Sequence, residues 1–192
     1  MKLNTLISTG LAAALALTLA ACGGGGKSGG EDVPTLRRGI SAKVDTLDPH
    51  KSSAQWENIV IGDMFIGLTT DGPDARPQPG MATHWETSAD GRVWTFHIGD
   101  YVWSDGNPVT AHDFVYALRR IQSPEVASQY ASLLYLIKNA AEVNATELPP
   151  EELGVRAIDD KTLEITLEYP APYLPGLLSH YTTYPVPSHA IE

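Results

Sequence analysis

Apolar positions are unevenly spread along the 192-residue chain, and their spacing predicts its elements in turn. From Leu6 to Ala20 they run almost unbroken, with only Ser8, Thr9, Gly10 and Thr18 interrupting. This run follows a single Lys, ends in small residues and lacks a stop-transfer flank, which is the plan of a secretory signal and not of a membrane span. Gly23 to Gly30 (GGGGKSGG) then abolishes all periodicity and reads as a flexible tether. Its Gly26-Lys27-Ser28 is no phosphate loop, because Ala21 stands where that motif needs glycine and no strand precedes it.

Beyond the tether, Thr35 to Ser41 reads as a short strand and Asp45 to Pro49 as a turn. Trp56, Ile59, Val60, Asp63 and Met64 keep helical spacing, and the helix is expected to stop near Gly67. Leu68 to Thr70 is a strand candidate, followed by a proline-bearing loop from Asp71 to Pro79. His84 to Thr87 and Arg92 to Ile98 flank Ser88-Ala89-Asp90-Gly91, a hairpin signal. Within the second of these strands Trp94, Phe96 and Ile98 alternate with Val93, Thr95 and His97, so one face is more apolar. After a tight turn at Trp103 to Pro108, Thr110 caps a helix supported by Asp113, whose buried stripe is Phe114, Ala117, Leu118 and Ile121. A second helical region is expected from Ser123-Pro124-Glu125 through Tyr130 towards Ile137. Val155 to Ile158 and Thr162 to Leu167 form a second hairpin, and Tyr169 to Leu178 is a loop followed by a short helix. Hairpins interleaved with helices predict an α+β (mixed α/β) class.

Composition narrows the function. Thirteen basic residues against 23 acidic give a charge of −10, the wrong sign for a nucleic-acid binder. At 43% hydrophobic the chain is not disordered, and one Cys excludes a disulfide scaffold. That Cys ends Leu19-Ala20-Ala21-Cys22, which resembles the bacterial lipobox. The resemblance implies cleavage after residue 21 and lipidation of Cys22, with dual acylation sufficient for stable anchoring. Processing there removes Lys2 and leaves a charge of −11.

Catalytic chemistry is hard to find. The six His residues (50, 84, 97, 112, 180 and 189) show neither a helical two-His pair nor a Cys partner. Asp105 and Asp113 are explained by a turn and a cap, and nothing specific supports a glycosidase pair. No catalytic residue, metal site or cofactor is expected, and the protein is not expected to be an enzyme. The aromatics Trp56, Trp85, Trp94, Trp103, Tyr116, Tyr130 and Tyr135 are expected chiefly to pack.

Two runs carry a family resemblance: Trp85-Glu86-Thr87-Ser88-Ala89-Asp90-Gly91-Arg92-Val93-Trp94-Thr95-Phe96-His97-Ile98, and Trp103 through Tyr116 (WSDGNPVTAHDFVY). With Leu47 to Lys51 upstream, Ala157 to Leu167 downstream and Pro185-Val186-Pro187, they resemble the family 5 extracellular solute-binding proteins, nearest the oligopeptide-binding branch. The resemblance implies a bilobed, periplasmic-binding-protein-like receptor of an ABC importer, held in the periplasmic space or cell envelope, that closes on its ligand by hinge motion. It implies an oligopeptide ligand, permease transmembrane subunits as partners, membrane attachment through Cys22, and no nucleic acid. Mapped onto the chain it gives a signal at 1–21, the lipidated Cys and tether at 22–30, the first strand and cleft loop of lobe one at 31–54, a small α+β lobe at 55–180, and a return segment at 181–192. Family members run to several hundred residues, so the expectation is an N-terminal part lacking the second large lobe. Ser53, Ala54 and Gln55 then lie nearest the ligand, with Ser53 and Gln55 replacing the acidic and apolar types of the closest branch. Tyr130, within Ala127-Ser128-Gln129-Tyr130-Ala131-Ser132, matches a cleft tyrosine. Other readings stay open: a receptor of the same family for a nickel chelate, haem, sugar or murein peptide, or an interaction lipoprotein that binds no solute.

Overall fold

The computed structural model describes residues 36–191. The expected signal peptide at 1–21, the lipidation of Cys22 and the tether at 22–30 lie outside the described residues. Gly39 to Glu192 make one compact unit. Its helices are α1 (Gln55–Met64), α2 (Ala111–Gln122), α3 (Ala140–Asn144), α4 (Leu174–Leu177) and α5 (Ser188–Ile191). Its strands are β1 (Thr69–Asp71), β2 (Pro77–Pro79), β3 (Ala82–Thr87), β4 (Val93–Ile98), β5 (Val155–Asp159) and β6 (Thr162–Thr166).

The two predicted hairpins join edge to edge in an antiparallel sheet of order β3-β4-β6-β5. In the first, Ser88 N–H donates to the Val93 carbonyl at 2.8 Å, and Gly91 supplies the positive φ of 69° that closes the turn. β4 and β6 meet in the middle with Trp94 opposite Ile165 and Phe96 opposite Leu163. The alternation read in the sequence is the alternation of burial: Trp94, Phe96 and Ile98 are buried, whereas Val93, Thr95 and His97 are half-exposed. α2 covers the apolar face with Phe114, Leu118 and Ile121, all essentially inaccessible. Each such side chain contributes roughly 1.5–3 kcal/mol by leaving water. The start of α2 follows the predicted chemistry, since the Asp113 carboxylate accepts from the Thr110 N–H at 2.8 Å and from its hydroxyl at 3.1 Å.

Three expectations are corrected. The strand expected over Thr35 to Ser41 finds no ladder partner among the described residues, and 36–41 are exposed and irregular. The loop at Asp71 to Pro79 contains β2, whose two prolines are tolerated because the β1–β2 pair is a small separate sheet with open edges. The helical region after Ser123 resolves into turns and one 3-10 turn at Ala131–Leu134. Ala127 adopts φ 51°, a left-handed conformation that no α-helix can carry through.

Candidate functional site

The loop at 51–55 enters α1 and is fixed from within. Lys51 and Ser52 N–H groups donate to the Asp48 carbonyl at 3.1 and 3.0 Å. Glu57, the third residue of α1, is buried and turns its carboxylate back towards the incoming chain. It accepts from the Ser52 hydroxyl at 2.8 Å and from the Asp45 and Thr46 N–H groups at 3.0 and 3.1 Å. Burial pushes this carboxyl up, but those donors outweigh it and hold the group below the ordinary carboxylate range.

A second clamp holds the loop from outside. Arg120, in the last turn of α2, grips both oxygens of Asp48 at 2.9 and 2.6 Å. Its Nη1 also donates to His50 Nδ1 at 2.8 Å, while His50 Nε2–H donates to the Tyr184 carbonyl at 3.0 Å. The fully buried imidazole is thereby neutral. Burial, reinforced by the Arg120 charge, pushes its pKa down to about 4 against the opposing pull of the Tyr184 carbonyl and Asp48. For Asp48, burial raises the carboxyl, and the Arg120 bond and the His50 amide reverse the shift to leave it lowered.

The segment after α4 completes the group. The Tyr181 hydroxyl donates to the Ser52 carbonyl at 3.3 Å, and burial raises its pKa. Its ring meets the Tyr130 ring edge-on at 5.8 Å and lies 4.2 Å from the His180 ring, which is 5.0 Å from Tyr130. Burial holds His180 below the ordinary imidazole range. Tyr181 therefore touches both the predicted loop and the predicted tyrosine. Ser53 and Gln55 are exposed, and Ala54 and Tyr130 are half-buried, so all four keep surface available for a ligand. Cys22 lies outside the described residues. Among the described residues no three His, Cys, Asp or Glu side chains converge as a metal cage would. A cavity of about 580 Å³ lies at the C-terminal end of α1, lined by Met64, Phe65, Ile66 and Trp103, away from the loop at that helix's other end.

Sequence reasoning gave no role to Glu57, His50, His180 or Tyr181. Glu57 had a readable signal, an acid three residues into a helix, where it meets free N–H groups. His50, His180 and Tyr181 had none, because the contacts that bring them into the group (Arg120 and Tyr184 for His50, Tyr130 for His180, Ser52 and Tyr130 for Tyr181) join residues far apart in the chain.

The model of the bacterial extracellular solute-binding proteins, family 5 middle region, matches residues 76–191. The periplasmic oligopeptide-binding protein OppA of Salmonella typhimurium is 42% identical over 98% of this chain and 36% of its own length. The OppA structure from Burkholderia pseudomallei superposes with a TM-score of 0.75 at 37% identity, over 79% of this chain and 30% of that one. Listeria monocytogenes OppA bound to peptide gives 0.75 at 35% identity, over 78% of this chain and 30% of its own. The chain spans about a third of the length of the curated relatives it matches.

Proposed function

The chain belongs to the bacterial extracellular solute-binding proteins of family 5, and from that membership we propose that it captures oligopeptides in the cell envelope for uptake by an ABC importer. The observation that carries the peptide reading is the joint at Tyr181, which packs on Tyr130 and bonds the carbonyl of Ser52, next to Ser53-Ala54-Gln55. Loop and aromatic ring thus belong to one preorganised surface, although 75 residues separate Gln55 from Tyr130. An extended peptide offers a backbone donor and acceptor at nearly every residue. The exposed Ser53 and Gln55 side chains present hydroxyl and amide groups for that backbone, and Tyr130 presents a ring face and a hydroxyl. Residues 31–54 carry the cleft loop of lobe one, 55–180 form the small lobe and 181–192 the return segment. The receptor hands its ligand to permease transmembrane subunits and is held at the membrane by lipid on Cys22. Capture needs no bond to be made or broken, so no catalytic group is assigned.

Isothermal titration with tri- to pentapeptides tests the reading. Saturable heat with several unrelated sequences is expected, and silence across a mixed library overturns the peptide assignment. Mass spectrometry of co-purified solute distinguishes a peptide from the non-peptide ligands that the fold could also accept.

A further inference from the structure

Two clamps hold the turn at 45–52, and one of them comes from a distant element. Glu57 lies in α1, which this same segment enters, whereas Arg120 stands in the last turn of α2, 72 residues beyond Asp48. Asp48 is the hub of the turn. Its Oδ1 accepts from the His50 N–H at 3.0 Å, and its carbonyl accepts from the Lys51 and Ser52 N–H groups. Ser53, Ala54 and Gln55 follow directly. The path on which the cleft loop leaves the turn therefore depends on how Asp48 is held.

Arg120 holds it with a fork. Nη1 donates to Asp48 Oδ1 at 2.9 Å and to His50 Nδ1 at 2.8 Å, and Nη2 donates to Asp48 Oδ2 at 2.6 Å. The Arg120 side chain is 12% exposed and that of Asp48 23%, so solvent screens the pair only weakly. The Asp48 bond raises the guanidinium pKa in spite of burial. A lysine would keep the charge, but its ammonium is a point charge that cannot reproduce two parallel N–H···O bonds. Building on the peptide reading above, we infer that Arg120 is a positioning residue for ligand capture: through Asp48 it keeps the loop of Ser53, Ala54 and Gln55 in its binding arrangement. Without that grip the loop samples other arrangements, and Kd rises in inverse proportion to the fraction of chains that stay competent. The loss falls on association, because the bound arrangement, once reached, is the same.

Two measurements on wild type, Arg120→Lys and Gly80→Ala test this role. Gly80→Ala crowds the Gly67 carbonyl and serves as a variant weakened away from the clamp. Circular dichroism fixes a temperature at which all three are folded. The first measurement needs no ligand: amide hydrogen exchange at Lys51 and Ser52 should quicken about tenfold more in Arg120→Lys than in Gly80→Ala, since the clamp governs local opening. The second is stopped-flow binding of tetraalanine, followed by tryptophan fluorescence. Association should slow about tenfold in Arg120→Lys with dissociation unchanged, and both rates should hold in Gly80→Ala. A purely structural role would leave both rates intact in a folded variant. Equal exchange in the two variants, or wild-type association in Arg120→Lys, overturns the positioning role. Wild-type silence towards tetraalanine counts against the peptide reading instead, and the exchange rates then decide the role of Arg120 alone.

Discussion

His50 sits fully buried between Arg120 and the Tyr184 carbonyl, and a proton added to it would face the guanidinium. Its pKa is about 4 when folded, against 6.5 when exposed. Between those values the unfolded chain takes up a proton that the folded chain refuses. Stability is therefore full above pH 6.5 and declines as pH falls towards 4, by on the order of 3 kcal/mol from this group. The lowered His180 acts in the same direction. The lowered carboxyls of Asp48 and Glu57 extend the loss into stronger acid, where they must be protonated. Urea unfolding at pH 7 and pH 4.5 should show a clear loss in wild type and a smaller difference in His50→Gln, and equal pH slopes would refute the assignment. Tyr130 calls for a different measurement. Tyr130→Phe keeps the ring against His180 and Tyr181 and removes only the hydroxyl's hydrogen bond with Tyr181, so the melting temperature should fall slightly while peptide affinity drops by about 1 kcal/mol, roughly fivefold. Unchanged affinity would remove the hydroxyl from the binding surface. The sequence made Tyr130 and the 53–55 loop visible as candidates, but not Tyr181, the residue that joins them.

Elements were legible wherever the local pattern and the tertiary environment agree. β4 and α2 are such cases, because alternation and helical spacing each point their apolar positions at the same core. The stretch after Ser123 went the other way: its composition suits a helix, yet the left-handed backbone at Ala127 and the bridge from Ile137 to Leu167 draw it into turns along the sheet. The junction of β1, β2 and β3 depends on closeness that no pattern reveals. Met81 N–H donates to the Gly67 carbonyl at 2.8 Å, and a methyl on Gly80 would stand 2.5 Å from that same oxygen. Gly80→Ala should therefore lower stability by about 1–3 kcal/mol, measurable by denaturant midpoint, since the obstructing atoms are backbone and cannot swing aside. A neutral result would mean that the junction yields more easily than its hydrogen bonds suggest.

At the scale of the whole molecule, the proposed receptor should gain stability from its ligand by mass action. A peptide at a hundred times its Kd should add about 2.7 kcal/mol and raise the melting temperature. A peptide that gives calorimetric heat without such a shift would bind folded and unfolded chain alike and argue against a folded cleft. The anchor is tested separately: Cys22→Ser should move the protein from the membrane fraction to the soluble one, and continued membrane association would reject lipidation at that residue. The sequence by itself determined the α+β class, the two hairpins, the capped helix and the family, because periodicity, turn residues and motifs are written in contiguous stretches. Tertiary structure alone decided the joining of the hairpins through β4 and β6, the burial of His50 and Glu57, and the meeting of Tyr181 with both the loop and Tyr130. Those outcomes depend on contacts between distant residues, whose energies come from burial and hydrogen bonding that exist only once the chain has folded.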